Sequence, residues 1–146
     1  MKNHTLLNYG LTALLSLWAC AVAAGDAGLA FDGAWVRAMP PGMKMTAAFG
    51  QLHNRGAEDI EITAFASPHF DDVSLHRTEI GDGVSRMREI PSLLIPPGAT
   101  VRLEPGGYHL MLMAPRAPLS EGQAVVIEMT AGDGRAFRFE LPLERR

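Results

Sequence analysis

Cysteine is almost missing from this chain: one residue, Cys20, in 146. That residue sits in an apolar N-terminal run, so everything after it is free of thiols. A disulfide framework is therefore excluded, and so is a thiol nucleophile. A blue-copper electron-transfer centre needs a thiolate beside two imidazoles, and a structural zinc site usually needs cysteine, so neither fits. Charge of one sign is also scarce. The 13 basic residues are outnumbered by 16 acidic ones, and no basic stripe or aromatic-interleaved Lys/Arg cluster appears, which argues against a nucleic-acid partner. No phosphate loop, nucleotide fingerprint or Gly-x-Ser-x-Gly elbow is present. Glu79 and Asp82 read as solvated residues of a turn without a partner to perturb them. The chain offers no catalytic constellation and reads as a non-enzyme.

The N-terminal 24 residues do not read as part of a fold. Lys2 supplies a positive start, and Leu11–Ala24 is a mostly apolar run ending in Ala21-Val22-Ala23-Ala24. This is the pattern of a secretory signal with small residues at the cleavage point. The run falls short of the roughly 20 apolar residues a comfortable membrane span needs. Residues 1–24 are thus expected to be a signal peptide and 25–146 a single exported domain. Leu17-Trp18-Ala19-Cys20 faintly resembles a bacterial lipoprotein box, which would make Cys20 a lipid anchor, although Trp18 fits it poorly.

Beyond Phe31 the chain reads as one short strand after another. Ala34–Met39, Thr46–His53, Ile60–Ser67, Asp72–Glu79, Val84–Ile90, Thr100–Leu103, Tyr108–Met113, Ala124–Thr130 and Ala136–Leu143 are separated by Gly, Pro, Asn and Asp turns. Apolar residues alternate in Ile60/Ile62/Ala64/Ala66, Val125/Ile127/Met129 and Phe137/Phe139/Leu141. Pro91–Pro97 reads as a loop whose Leu93-Leu94-Ile95 tucks in as a plug. With no amphipathic helical window, this pattern predicts an all-β antiparallel sandwich or barrel.

Against this plain background, two imidazoles and two thioethers share short β-like segments. His76 is followed by ten residues and Met87; twenty-one residues later come His109 and, two on, Met111. Ile80-Gly81-Asp82-Gly83 has the chemistry of a two-residue hairpin turn. If Gly81-Asp82 is the loop, His76 lies opposite Met87. If Asp82-Gly83 is the loop, Met87 faces Thr78 and His76 lies diagonally beside it. Both arrangements put the two side chains on one face. In the second segment Tyr108, Leu110 and Leu112 form the core set, so His109, Met111 and Met113 turn the other way. Val73 and Leu75 likewise look inward and leave His76 outside. All four candidates are expected on an outer face, near a sheet edge or end. A His/Met set without carboxylate suits copper, above all Cu(I), and suits zinc, magnesium or calcium poorly.

The spacing His-(ten)-Met-(twenty-one)-His-x-Met resembles the copper motif of the PCuAC family of periplasmic copper chaperones. Ala34-Trp35-Val36-Arg37-Ala38, Thr46-Ala47-Ala48-Phe49, Leu52-His53-Asn54-Arg55-Gly56 and Pro105–Met113 resemble further segments of that family, so the similarity spans residues 33–143. The resemblance implies a cupredoxin-like β-sandwich that binds Cu(I) through His76, Met87, His109 and Met111. It further implies a periplasmic chaperone that supplies copper for cytochrome oxidase assembly, with the oxidase's copper-bearing subunit as acceptor and a Sco-like thiol protein as a second partner. Some relatives carry a His/Met-rich C-terminal extension; this chain ends Glu-Arg-Arg. Two other readings stay open: a copper-sequestering or resistance protein with the same ligands, and a metal-free β-sandwich interaction module. Met43-Lys44-Met45, in a Pro/Gly loop, reads first as an ordinary loop with hydrophobic ends, and second as a segment that adds a thioether to the site or helps pass copper on. Met113 is a neighbour or spare ligand, His69 a solvent-facing turn residue, and His53 a structural one.

Overall fold

Alternating apolar residues between Gly/Pro turns give ten strands in the computed structural model, which describes residues 28–146. The expected signal segment 1–24 and Cys20 lie outside the described residues. In chain order the strands are β1 (Leu29–Arg37), β2 (Met45–Asn54), β3 (Ile60–Ala66), β4 (Phe70–Gly81), β5 (Val84–Glu89), β6 (Leu93–Ile95), β7 (Thr100–Leu103), β8 (Tyr108–Pro115), β9 (Ala124–Ala131) and β10 (Ala136–Glu144). No helix among the described residues is long and apolar enough to cross a membrane.

The strands form two layers. One runs β5-β4-β8-β7-β2-β1, with β8 also pairing directly with β2, and the other runs β10-β9-β3-β6. A short parallel pairing of β1 with β10, Val36 opposite Leu143, joins them. The inward faces interlock into one core. Leu52, Leu75, Leu110 and Leu112 come from the first layer, and Ile62, Ile127, Met129 and Leu141 from the second, all essentially inaccessible to water. Burying each such side chain favours the folded state by about 1.5–3 kcal/mol, and this domain has no covalent staple to supplement it. The expected all-β sandwich is what the chain builds.

Two segments depart from their expected form. The Ile60/Ile62/Ala64/Ala66 alternation breaks after Ile62, where the ladder to β9 slips between Ile62 and Ala64. The slip inverts the parity, so Phe65 packs against the core while Ala64 and Ala66 are exposed. Leu93-Leu94-Ile95 is not a loop but the edge strand β6, paired with β3 through Ile60–Ile95 and Ile62–Leu93. Leu93 and Ile95 do tuck into the core, and Leu94, between them, faces out.

The end of β2 is tied down by one polar side chain. Asn54 is fully buried; its Nδ2 donates to the Glu58 and Ile95 carbonyls at 2.7 and 2.8 Å, and its Oδ1 accepts from the Gly56 N–H at 2.9 Å. Those three bonds satisfy the side chain and fasten the β2–β3 turn to β6 across the sandwich. His53, next to it, bonds Thr100 Oγ1 through Nδ1 at 2.7 Å, the structural role its position suggests.

Candidate metal site

The β4–β5 hairpin turns on Asp82-Gly83, both with positive φ (51° and 73°), as a two-residue I′ turn requires. Gly81 then pairs with Val84, Thr78 with Met87 and His76 with Glu89. Of the two turns the residues allow, the second is adopted: Met87 faces Thr78, and His76 is its diagonal neighbour. β5 is an outer strand with every residue exposed, Met87 at 60%. Its Arg86, Arg88 and Glu89 place charges along the edge, which discourages another strand from adding there.

On the other side of β4 lies β8. Its register sets His76 opposite His109 and Ser74 opposite Met111. Further across, β2 sets Ala47 opposite Met111 and Met45 opposite Met113. One face of three adjacent strands therefore carries His76, His109, Met111, Met113 and Met45, with Met87 at its margin. The two imidazoles stack, their centroids 5.9 Å apart and their planes within 25°.

His109 is not on an open outer face as expected. It is only 6% exposed, stacked against His76 and close to the Pro105-Gly106 turn. Its Nδ1–H donates to the Gly107 carbonyl at 3.2 Å, which fixes the tautomer and leaves the Nε2 lone pair unprotonated in the neutral ring. Burial holds its pKa below the ordinary imidazole value of 6.5. The Gly107 bond opposes that shift, while the neighbouring His76 and Arg37 charges add to it. A buried, neutral imidazole with one nitrogen anchored and the other free is the form that binds metals. His76 shares a 2.9 Å hydrogen bond between Nε2 and Ser74 Oγ.

Beside these rings lies a cavity of about 360 Å³. Met87, His109 and Met111 contribute to its wall, as do Met39, Met43 and Met45 from the segment that enters β2. Arg37 borders it as well, its guanidinium 5.0 Å above the Phe49 ring. The structure thus brings three of the four expected residues to one cavity and stacks the fourth, His76, on His109. Met113 shares their face by register. Of the two readings of Met43-Lys44-Met45, the cavity favours the one that adds thioethers, and nothing in the sequence pattern marks Met39 or Arg37; the pairing of Met45 with Met113 becomes visible only once β2 is docked on β8. His69 is half-buried in the turn before β4, and nothing joins it to the cavity. Among the described residues no three or more His, Cys, Asp or Glu side chains converge. The other donors around the two imidazoles are thioether sulfurs.

Comparison with known proteins agrees with this architecture. Residues 29–143 match the family described as "Putative lipoprotein LpqE-like". The chain is 36% identical over 141 residues to "Putative lipoprotein Lxx21020" of Leifsonia xyli subsp. xyli, covering 90% of this chain and 84% of that protein. Among solved structures it resembles apo-DR1885 from Deinococcus radiodurans, at 30% identity over 99% of this chain and 97% of the other, with a TM-score of 0.65. The Cu(I) form of DR1885 is similar at 31% identity over 86% and 84% of the two chains, TM-score 0.67. The copper-bound PCuAC domain from PmoF2 shares the fold at TM-score 0.68 and 16% identity, over 83% of this chain and 96% of that one. The chain has the fold of PCuAC domains and belongs to the LpqE-like family.

Proposed function

We propose that the protein is a copper chaperone, not an enzyme, that holds Cu(I) through His76, Met87, His109 and Met111. The observation that carries this reading is the stacked His76–His109 pair, with His109 locked in its Nδ1–H tautomer beside a cavity walled by Met87 and Met111. The donor chemistry fits the ion. Two neutral imidazoles and two thioethers add no charge and are soft enough for Cu(I), whereas harder divalent ions would want carboxylates. The similarity to DR1885, solved with Cu(I), supports the same choice.

The residues divide the work of holding and releasing cargo. His109 is anchored and buried, so it stays fixed while the ion comes and goes. Met87 is on an exposed outer strand and can be displaced first by an incoming ligand of the acceptor. His76 must orient its ring for the ion with Nε2 already engaged by Ser74, which makes it an adjustable partner to the fixed His109. Stepwise replacement of exposed ligands is the property that separates a carrier from a permanent site.

The acceptor in this reading is the copper-bearing subunit of a cytochrome oxidase, with a Sco-like thiol protein assisting, and the chaperone works outside the cytoplasmic membrane. Export rests on the signal-like residues 1–24 and on the lipoprotein description shared by the family and the Leifsonia relative. That description also favours lipidation of Cys20 over simple cleavage after Ala24, and mass spectrometry of the exported protein distinguishes the two products. The copper reading is tested by titrating Cu(I) into the exported protein against a chromophoric chelator. Tight competition that disappears in Met87→Ala/Met111→Ala supports it; no competition overturns it. Deleting the gene should lower oxidase activity in a way that added copper restores, and an unaffected oxidase would leave sequestration as the role.

A further inference from the structure

The cavity beside the imidazoles is much larger than one ion requires. At about 360 Å³ it exceeds the roughly 30 Å³ share of one liquid water about tenfold. Of the proposed ligands, Met87, His109 and Met111 account for part of its lining. Met39, Met43 and Met45 contribute a separate group of thioethers to its lining, all from seven consecutive residues.

Their placement follows from the local backbone. Pro40-Pro41-Gly42-Met43 forms a turn closed by the Met43 N–H on the Pro40 carbonyl at 3.3 Å, with Gly42 at φ 84°. Proline at the second position and a positive-φ glycine at the third are the marks of a type II turn. The turn folds the chain back so that Met39 before it and Met43 after it return to the same cavity. Met45, at the start of β2, is held there by its pairing with Met113. Lys44, between the two methionines, is not in that cavity's lining and borders an adjoining hollow that Met39 and Met43 also line. Met43 is 50% and Met45 46% exposed, so an ion can reach both side chains from solvent.

We propose that Met39, Met43 and Met45 form a second, thioether-only position for Cu(I) in the same cavity, distinct from the His76/Met87/His109/Met111 set. Three neutral soft donors without imidazole, thiolate or carboxylate select a soft monovalent cation and reject zinc, calcium and magnesium. The Arg37 guanidinium borders the cavity and acts on both positions; the thioether-only position binds more weakly because it lacks the imidazole donors of the first. A weak, exposed site beside a tighter, more buried one gives an ion a stepping point on its way in or out. That role rests on the chaperone reading; the binding itself does not.

The test is the number of Cu(I) ions bound by the exported protein under anaerobic conditions, read with two chromophoric chelators of different strength. The wild type should bind two ions of unequal affinity. Met39→Leu/Met43→Leu/Met45→Leu, which keeps volume and apolarity, should bind one, with the tighter affinity changed less than threefold. His76→Ala/His109→Ala should keep the weaker equivalent. A wild type that binds a single ion, lost in the His variant, overturns the second position and leaves the chaperone reading standing; a protein that binds none overturns both. Should the triple variant fold poorly, NMR of methyl-labelled methionine in the wild type decides. The Met39, Met43 and Met45 methyl signals should move with the second equivalent of Ag(I), a redox-inert substitute, and signals that stay still through that addition refute the proposal.

Discussion

Met87 and Met129 offer a direct contrast between sulfur as ligand and sulfur as filler. Met87 is 60% exposed on the outermost strand, and Met129 is completely buried in the second layer. Met87→Leu keeps most of the apolar surface and removes only the sulfur, so stability should change by less than about 0.5 kcal/mol, as at other exposed positions. Met129→Ala opens a cavity in a fully packed core, at a cost of about 2–5 kcal/mol. For a folded unit of about 120 residues, an unfolding entropy near 2.1 cal/mol/K per residue gives about 0.25 kcal/mol per degree, so Tm should fall by about 8–20 °C. Copper binding should reverse the order. Losing even a supporting residue of a metal site weakens it about 10–100-fold, so Met87→Leu should lose at least that much Cu(I) affinity. Met129→Ala, measured well below its Tm, should stay within a few-fold of wild type. The assays are thermal unfolding of the apo protein and chelator competition at 20 °C. If Met87→Leu binds Cu(I) like the wild type, the Met87 sulfur is not a ligand.

Asn54→Ala should destabilise the domain by about 2–4 kcal/mol in urea unfolding, because it removes three side-chain hydrogen bonds, each contributing about 0.5–1.5 kcal/mol, from a fully buried position; a loss below 1 kcal/mol would show the strap to be dispensable. Stability of the apo protein should also depend on His109. Its folded pKa lies below the unfolded value of about 6.5, so between the two the unfolded chain binds more protons. The stabilising effect of keeping this ring neutral is complete above pH 6.5 and declines as pH falls from there to the folded pKa. His109→Gln should flatten that part of the Tm–pH curve, and an unchanged slope would contradict the assignment.

Much of this arrangement could be read from the residues because a strand has a period of two. Val73/Leu75 and Leu110/Leu112 declare the inward face, so His76, His109 and Met111 must share the other. The Asp82-Gly83 turn was one of two allowed by Ile80-Gly81-Asp82-Gly83, and either would have kept Met87 beside His76. What parity does not encode is phase slips and what lies above a face. The bulge after Ile62 moves Ala64 and Ala66 outward through backbone geometry that leaves no mark in the apolar pattern. Leu93–Ile95 is too short to show a period and becomes a strand only because β3 has a free edge. His109 is buried by its stacking with His76 and the nearby Pro105–Gly107 turn, contacts set by register and loop path. The Met39/Met43/Met45 wall depends on a turn and on the docking of β2 against β8, neither of which follows from local alternation.

X-ray absorption at the copper edge of the protein loaded with one equivalent of Cu(I) reads the atoms bound to the metal. Nitrogen and sulfur scatterers should both surround the metal, with the sulfur contribution reduced in Met111→Leu and the nitrogen contribution reduced in His109→Gln. A first shell of nitrogen and oxygen alone, or one that neither substitution alters, would contradict the proposed His/Met site.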